Sequence, residues 1–306
     1  MVSAEQGNTR MNGVVSQASE GPSDPPAQLR RDVLDFARSV RDAVDEDSLV
    51  LPTLPDTALR VNAVVSDPDG AIDDLVRAIS SDPAIAIRVV QAANSAYTSG
   101  ATHIDSVQMA VTRLGMQYTR TLVTRLTLAQ LFRARSAPLL RFAHGVWQES
   151  LRVAALSQVL ARERTELHPE VAMLGGLLHL VGALPVIGMA DRRQELDGHH
   201  EHIIDVIRIL QPEIGHYLLS AWGFSASFCA CAWVYKDPWR QHEGATEASD
   251  VVIVARKLLS LDFLRALSAD AELPAFERLR LPYLATLEDL PEFHRAFAVA
   301  LDGLMQ

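Results

Sequence analysis

The sequence is poor in cysteine: Cys229 and Cys231 are its only two, and they lie two residues apart. Two helical positions at this spacing point about 200° apart, so the pair cannot easily form a disulfide. Unpaired thiols suit a reducing compartment. The first fifteen residues also lack the basic start and the apolar run of a signal peptide. Together these absences predict a cytoplasmic protein.

Aromatic residues make up only 6% of the chain, and acidic residues outnumber basic ones to give a formal net charge of −10. This balance argues against attraction of the whole protein to nucleic acid or to an anionic membrane. The sequence contains no P-loop, no G-x-S-x-G nucleophile motif and no redox C-x-x-C pair. It therefore predicts no nucleic-acid or membrane partner, no nucleophilic catalysis and no bound cofactor.

One long apolar run departs from this amphipathic background. Residues 171–190, VAMLGGLLHLVGALPVIGMA, carry no charge apart from His179, and about 20 such residues can span a bilayer. An internal proline, a diglycine and the absence of flanking tryptophan or tyrosine favour a buried core helix instead. Glycine costs about 1 kcal/mol in a helix, so Gly175, Gly176 and Gly182 are expected where neighbouring helices approach closely.

Helical periodicity dominates the rest of the chain. Residues 1–28 are rich in Gly, Ser, Pro, Gln and Asn and predict a disordered lead. Beyond them apolar residues recur every three or four positions, and no period-two run with β-branched residues occurs. The fold is therefore predicted to be all-α, a multi-helix bundle. The expected divisions are a lead-in helix at 29–50, a main domain at 51–246 and a C-terminal helical extension at 247–306.

Local signals place several helix ends within this pattern. Asp82 before Pro83 is a common way to start a helix, and Ser106 can cap the next one. Two further helices are expected at about 200–210 and 212–222, one on each side of a proline.

An ordered series of short motifs runs from about residue 51 to residue 240. It comprises Pro52 and Pro55, the Asp82–Pro83 helix start, Asn94–Ser95, AVTRLG at 110–115, VWQES around Trp147, GGLLHLVG around His179, EIGHYLLSAWGF at 213–224, and Asp237–Pro238. In this order the motifs resemble the HDOD domain, a bacterial relative of the HD superfamily of metal-dependent phosphohydrolases. The resemblance implies an HD-like helical bundle over this part of the chain.

The resemblance also implies where a metal would lie. In HD enzymes a histidine, a consecutive His-Asp pair and a distant aspartate converge on a divalent cation, which activates water and neutralises a phosphate. The matching positions in this chain are Glu149, His179, Leu180, Gln211, Tyr235, Lys236 and Arg256.

Most of the ligands are replaced at these positions. Leu180 stands where the bridging carboxylate would be, and Gln211 where metal-binding relatives have a histidine. Tyr235 and Lys236 replace a pair of histidines, and Arg256 replaces the last aspartate. Lysine and arginine repel a metal cation, and the two ligands that remain are fewer than the three that a catalytic metal site usually has. The resemblance therefore implies a non-catalytic signalling module with a lost metal site.

The residues around this position each allow two interpretations. His179 has the helical spacing of a neutral imidazole hydrogen-bonded in a core, because burial disfavours its charged form. The alternative is a residual contact to a metal or a small ligand. Glu149, Lys236 and Arg256 are expected either to form a charge network in the former metal cavity or to lie on the surface.

Residues 106–148 hold six arginines and no acidic residue, within an acidic chain. Local charge can steer an anionic ligand even where the net charge opposes it. The arginines are therefore a candidate anion-binding or partner-binding surface, formed by Arg113, Arg120, Arg125, Arg133, Arg135 and Arg141. The alternative is that they scatter around their helices and pair with acids from elsewhere in the chain.

The function expected from these observations is that of a non-catalytic bacterial signal-transduction protein. Its partner would be a signalling protein or a small nucleotide. Two alternatives stay open: a residual metal-dependent phosphohydrolase that acts on a nucleotide, and a receptor for a cyclic dinucleotide.

Overall fold

The computed structural model describes residues 27–46, 48–94, 104–193, 200–234, 236–259, 273–282 and 287–305, and within these ranges every regular element is a helix. The helices are α1 (Ala27–Asp45), α2 (Asp56–Ser66), α3 (Ile72–Ser80), α4 (Pro83–Ala93), α5 (Val107–Leu114), α6 (Met116–Leu131), α7 (Ala137–Arg164), α8 (Pro169–Leu178), α9 (Ala183–Ala190), α10 (His200–Ala221), α11 (Ala226–Trp233), α12 (Ala248–Leu258), α13 (Pro274–Arg278) and α14 (Pro291–Met305). The predicted all-α fold is confirmed. The predicted disordered lead falls mostly on residues 1–26, which lie outside the described residues.

The helices bury two large apolar clusters, and α7 contributes to both. The first cluster joins α1 to α6 with one end of α7 and with α8 to α11. The second joins the other end of α7 and parts of α8 and α11 to α12, α13 and α14. The 28 residues of α7 make it the longest helix of the described chain. It packs along α8, α12 and α14 and thus connects the main bundle to the C-terminal helices.

The predicted helix starts at Asp82 and Ser106 are confirmed. The Asp82 carboxylate accepts hydrogen bonds from the backbone N–H groups of Ala84 and Ile85, at 3.0 and 3.2 Å, just before Pro83 begins α4. These side-chain acceptors satisfy N–H groups that have no partner inside the first turn of a helix. The Ser106 hydroxyl accepts in the same way from the backbone of α5.

The long apolar run forms two helices joined by a turn. The prediction that it is buried in the core is confirmed, and the prediction that it is one helix is wrong. α8 ends at Leu178, residues 179–182 form a turn, and α9 begins at Ala183. Among the described residues, Pro169–Ala190 is the one stretch that is long and apolar enough to cross a membrane, and 89% of its most apolar window is buried within the bundle. Its apolar character is therefore accounted for by contacts with other helices.

Two glycines in this stretch allow close approach of neighbouring helices, as predicted. A Cβ atom at Gly176 would lie 2.5 Å from the Cα of Ala154 on α7. A Cβ atom at Gly182 would lie 1.9 Å from the backbone oxygen of Gln211 on α10. Neither distance is compatible with a side chain, so the backbones of α7 and α10 approach this segment directly.

The prediction of two helices on either side of Pro212 is wrong, because α10 runs without interruption from His200 to Ala221. Proline inside a helix removes one backbone hydrogen bond. Pro212 is buried together with Leu210 and Ile214 in the face that packs on the core, and this burial keeps the helix continuous. Cys229 and Cys231 are both buried and unpaired, as their spacing predicted.

Candidate functional site

Arg256 is a buried cation in the middle of the protein. It lies on α12, which packs against α7, α8 and α11, and only 2% of the residue is exposed. α12 begins with a reciprocal capping arrangement between Glu247 and Asp250, which fixes its first turn. The rest of α12 is almost entirely buried, so the arginine side chain extends into the space between neighbouring helices instead of reaching solvent.

The Nη1 atom of Arg256 contacts two side chains from two other helices. It lies 2.8 Å from Oε1 of Glu149 on α7 and 2.6 Å from Nε2 of His179 at the carboxyl end of α8. A guanidinium Nη carries two hydrogens, so it can donate one to each acceptor. The two acceptor atoms are consequently no more than about 5.4 Å apart, with the arginine nitrogen between them.

The second nitrogen of the His179 ring fixes its protonation state. Nδ1 lies 2.6 Å from the backbone oxygen of Gly176, so Nδ1 carries the proton and donates it to that oxygen. Nε2 then has a free lone pair, which accepts from Arg256. His179 is fully buried, and burial together with the nearby positive charge of Arg256 lowers its pKa well below the usual value. The imidazole is therefore neutral near physiological pH.

The other positions of the predicted set lie in different surroundings. Leu180 is buried in the first apolar cluster, so its position is part of the core. Gln211 is also buried, and neither polar atom of its side chain has a hydrogen-bond partner among the described residues. Lys236 does not reach the charge network: its Nζ lies 3.4 Å from Glu213 and above the ring of Trp233. Tyr235 lies outside the described residues.

In this arrangement Arg256 contacts atoms that a divalent metal would use as ligands. A metal at this position would draw on Nε2 of His179 and on the carboxylate of Glu149, and Arg256 already contacts Nε2 and Oε1. The neighbouring Leu180 offers no ligand atom. Within the described ranges, no group of three or more His, Cys, Asp or Glu side chains is placed to hold a metal ion. The chemistry that the site does support is that of an internal ion pair with a hydrogen-bonded imidazole.

The six arginines of residues 106–148 do not form one surface. Arg120 is 4% exposed, lies over the ring of Phe228 at 5.2 Å, and has a pKa lowered to about 10 by burial. The guanidinium of Arg125 donates to the backbone oxygen of Leu304 in α14. The prediction of a binding surface is therefore wrong for the buried Arg120, and it stays a prediction for the half-buried Arg125. It stays a prediction for the half-buried Arg113 and for the exposed Arg133, Arg135 and Arg141.

Two contacts could not be anticipated from the motifs. The first is the contact between His179 and the carbonyl of Gly176, which orients the imidazole ring. The one sequence signal for it is the spacing of three residues, because residues three apart are neighbours on a helix. The second is the contact between Arg125 and α14, which joins residues 179 positions apart and leaves no local signal.

Comparison with known proteins agrees with the helical geometry. A family model described as the HDOD domain matches residues 51–238. A solved structure from Shewanella amazonensis SB2B, which bears the name of a metal-dependent phosphohydrolase, is 25% identical with a TM-score of 0.70, over 90% of this chain and 99% of that one. An HDOD domain protein of unknown function from Geobacter sulfurreducens is 23% identical with a TM-score of 0.62, over 90% of this chain and 98% of the other.

A third structure carries a different functional name. This protein from Marinobacter aquaeolei VT8 is named as a signal transduction protein, is 22% identical and has a TM-score of 0.61, over 90% of this chain and 67% of that one. No curated protein matches the sequence.

Proposed function

The chain belongs to the HDOD domain family, and from that premise we propose that it is a cytoplasmic bacterial regulatory protein that binds a signalling partner and hydrolyses no nucleotide. The observation that carries the proposal is the position of Arg256. Its Nη1 atom engages Glu149 and His179 at 2.8 and 2.6 Å, and these are the carboxylate and the imidazole of the matched set.

Electrostatics argues for the same conclusion. A divalent cation at this position would have to displace a guanidinium that is bonded to a carboxylate and enclosed by three helices. If the guanidinium stayed, two like charges would be held a few ångströms apart in a poorly solvated interior, where repulsion is strong. Replacement of the bridging carboxylate by Leu180 removes the ligand that would offset part of that cost. The internal arginine thus supplies the positive charge that Glu149 requires.

The names of the solved relatives support two different readings. One neighbour is named as a phosphohydrolase and another as a signal transduction protein. Arg256 favours the regulatory reading for this chain. The buried, unpaired thiols and the burial of the apolar stretch 169–190 support a location in the cytoplasm.

Metal analysis tests the proposal directly. The purified protein is expected to contain no stoichiometric iron, manganese or zinc, and its melting temperature should not rise when these ions are added. The double variant Leu180→Asp/Arg256→Asp introduces a carboxylate at each of two positions of the matched set. If folded, it should gain metal-dependent thermal stabilisation, since a ligand that binds only the folded state stabilises it.

A defined result would overturn the proposal. Stoichiometric metal in the wild-type protein that is lost in His179→Ala, together with metal-dependent release of phosphate from a nucleotide, would establish the phosphohydrolase alternative. Lys236→Ala serves as the control for a cation at a matched position outside the charge network, and it should leave metal content unchanged.

A further inference from the structure

Asp191 joins two basic segments that lie far apart in the sequence. Its carboxylate accepts hydrogen bonds from the backbone N–H groups of Arg135 and Ser136, at 2.8 and 2.9 Å. Asp191 directly follows α9, and Ser136 directly precedes α7. The contact therefore places Arg192, the residue after Asp191, beside the segment that holds Arg133 and Arg135.

Four exposed arginines lie around this contact, and they are here termed the basic patch: Arg133, Arg135, Arg141 and Arg192. Arg141 lies on the second turn of α7, about 6 Å along the helix axis from the first residue. The Nε atom of Arg192 donates to the carbonyl of Gly188 at 2.9 Å, which holds this side chain against the last turn of α9. The basic patch is thus formed by the α6–α7 connection, the start of α7 and the end of α9.

The four guanidinium groups of the basic patch are not neutralised by ion pairs. Among the residues that the structure describes, no aspartate or glutamate pairs with any of them. Three exposed arginines on other helices each pair with an aspartate three positions earlier: Arg38 with Asp35, Arg77 with Asp74, and Arg208 with Asp205. In contrast to these, the charge of the basic patch is available to a partner.

The surroundings of the basic patch strengthen its positive potential. α7 has 28 residues and no acidic residue in its first turn, and the first N–H groups of a helix carry partial positive charge. Asp191 offsets part of this charge, but four arginines against one aspartate leave a net charge of +3. The formal net charge of the whole sequence is −10. An anionic segment is therefore attracted to the basic patch and repelled by most of the remaining surface.

The chemistry of the basic patch favours carboxylates on an extended chain. A guanidinium binds a carboxylate through two parallel hydrogen bonds, and the four arginines are spread over three segments. Residues 133–141 and 191–193 expose no large apolar or aromatic side chain, whereas single-stranded nucleic acid is held largely by stacking on aromatic rings. The same segments offer no apolar anchor for a membrane. A protein segment rich in aspartate and glutamate therefore fits this surface best.

We propose that the basic patch is the docking surface for an acidic segment of a partner protein. Carboxylates of that segment would pair with the exposed guanidinium groups, and the acidic remainder of the chain would restrict binding to this surface. The proposal rests on the proposed role in partner binding and names the chemistry of the partner. The two proposals can fail separately, because peptide binding tests the basic patch and metal content tests the loss of catalysis.

Fluorescence anisotropy of fluorescein-labelled decaglutamate with the full chain tests the proposal. The peptide is expected to bind the wild-type chain, and binding should weaken as NaCl is raised from about 50 to about 200 mM, because salt screens exposed charges. The variant Arg133→Gln/Arg135→Gln/Arg192→Gln should bind about tenfold more weakly, as expected from the loss of three exposed ion pairs. Decaglutamine with the same label should not bind.

The matched control is Arg38→Gln/Arg77→Gln/Arg208→Gln. It removes the same number of exposed positive charges, but from arginines that already pair with an aspartate. The two triple variants have the same net charge, so a difference between them reports where the charges lie. The control should bind decaglutamate within about twofold of the wild-type chain, because distant exposed charges are screened.

The substituted side chains are all exposed, so both triple variants should melt near the wild-type temperature. If the variant of the basic patch does not fold because it loses the contact of Arg192 with Gly188, Arg133→Gln/Arg135→Gln keeps that contact. This double variant should bind decaglutamate about fivefold more weakly than the wild-type chain.

Any of three results would overturn the proposal. The first is no binding of decaglutamate to the wild-type chain at low salt. The second is an equal loss of binding in the two triple variants, because binding would then depend on overall charge alone. The third is tighter binding of single-stranded DNA or of phosphatidylglycerol vesicles than of decaglutamate, since this would assign the basic patch to a nucleic acid or to a membrane.

Discussion

Replacement of Arg256 by methionine tests the internal ion pair most directly. Methionine keeps much of the length of the side chain but removes the guanidinium. The variant loses the contacts of Nη1 with Glu149 at 2.8 Å and with His179 at 2.6 Å. It removes the cation that contacts the carboxylate of Glu149 and the donor that contacts Nε2 of His179.

The magnitude follows from the burial of the two acceptors. Removal of one partner of a buried ion pair costs about 3–5 kcal/mol, because the other charge is left uncompensated. The Glu149 side chain is 30% exposed, so water can restore part of its solvation. His179 is fully buried and has no such access. We therefore expect Arg256→Met to lower the free energy of unfolding by about 3 kcal/mol, toward the lower end of that range.

Urea denaturation followed by far-UV circular dichroism near neutral pH measures this change. The matched control is Lys236→Met, which removes a cation that pairs with Glu213 while both side chains are 39% exposed. Exposed ion pairs contribute about 0–1 kcal/mol, so the control should cost no more than that. Glu149→Gln and the double variant Glu149→Gln/Arg256→Met complete a mutant cycle. Their coupling energy should exceed about 1 kcal/mol, as is usual for residues in contact.

The reasoning would be refuted by either of two results. If Arg256→Met costs no more than Lys236→Met, the guanidinium is not enclosed as described. If the cycle gives a coupling energy near zero, Arg256 and Glu149 do not interact, and the account of the site loses its basis.

Three further predictions concern other properties of the chain. His179 is neutral in the fold and its pKa is lowered, so on acidification the unfolded chain takes up a proton that the folded chain does not. Below about pH 6.5 the free energy of unfolding should therefore fall by about 1.4 kcal/mol per pH unit on account of His179. The pH dependence of unfolding in His179→Gln should lack this contribution. Gly182→Ala would place a Cβ 1.9 Å from the backbone oxygen of Gln211, so the soluble expression or the melting temperature of this variant should drop sharply. The control Gly303→Ala, whose Cβ would meet no atom within 4 Å, should fold normally. Calorimetric titration with linear nucleotides and cyclic dinucleotides should show no micromolar binding, and a saturable response to any of them would instead support the receptor alternative.

The helical fold was predictable because its signals are local. The Asp82 cap and the apolar periodicity of α1 to α7 depend on residues a few positions apart. The break after Leu178 was not predictable from periodicity, because the run stays apolar through the turn at 179–182. Continuity of α10 through Pro212 was missed for the converse reason: the proline is a strong local signal, and burial of its neighbours outweighs it.

The motif order named the positions of the matched set but could not predict their contacts. The motif order identified Arg256 and Lys236 as the two cations of the matched set. Sequence could not decide which of them meets Glu149, because the answer depends on how α12 packs against α7. Arg120 shows a second limit, since a run of arginines without acids suggested a surface, yet the cation packs against Phe228. Contacts between distant segments decide both cases.

In the proposed function Arg256 stands in for a metal ion, and this replacement would free the site from dependence on metal supply. A bound metal is occupied according to its free concentration, and chelation or scarcity empties its site. The guanidinium of Arg256 is covalently tethered to the chain, so its presence in the site does not depend on the concentration of any ion. The cation at the centre of this bundle is therefore in place as soon as the chain folds, and neither metal starvation nor a chelator should remove it.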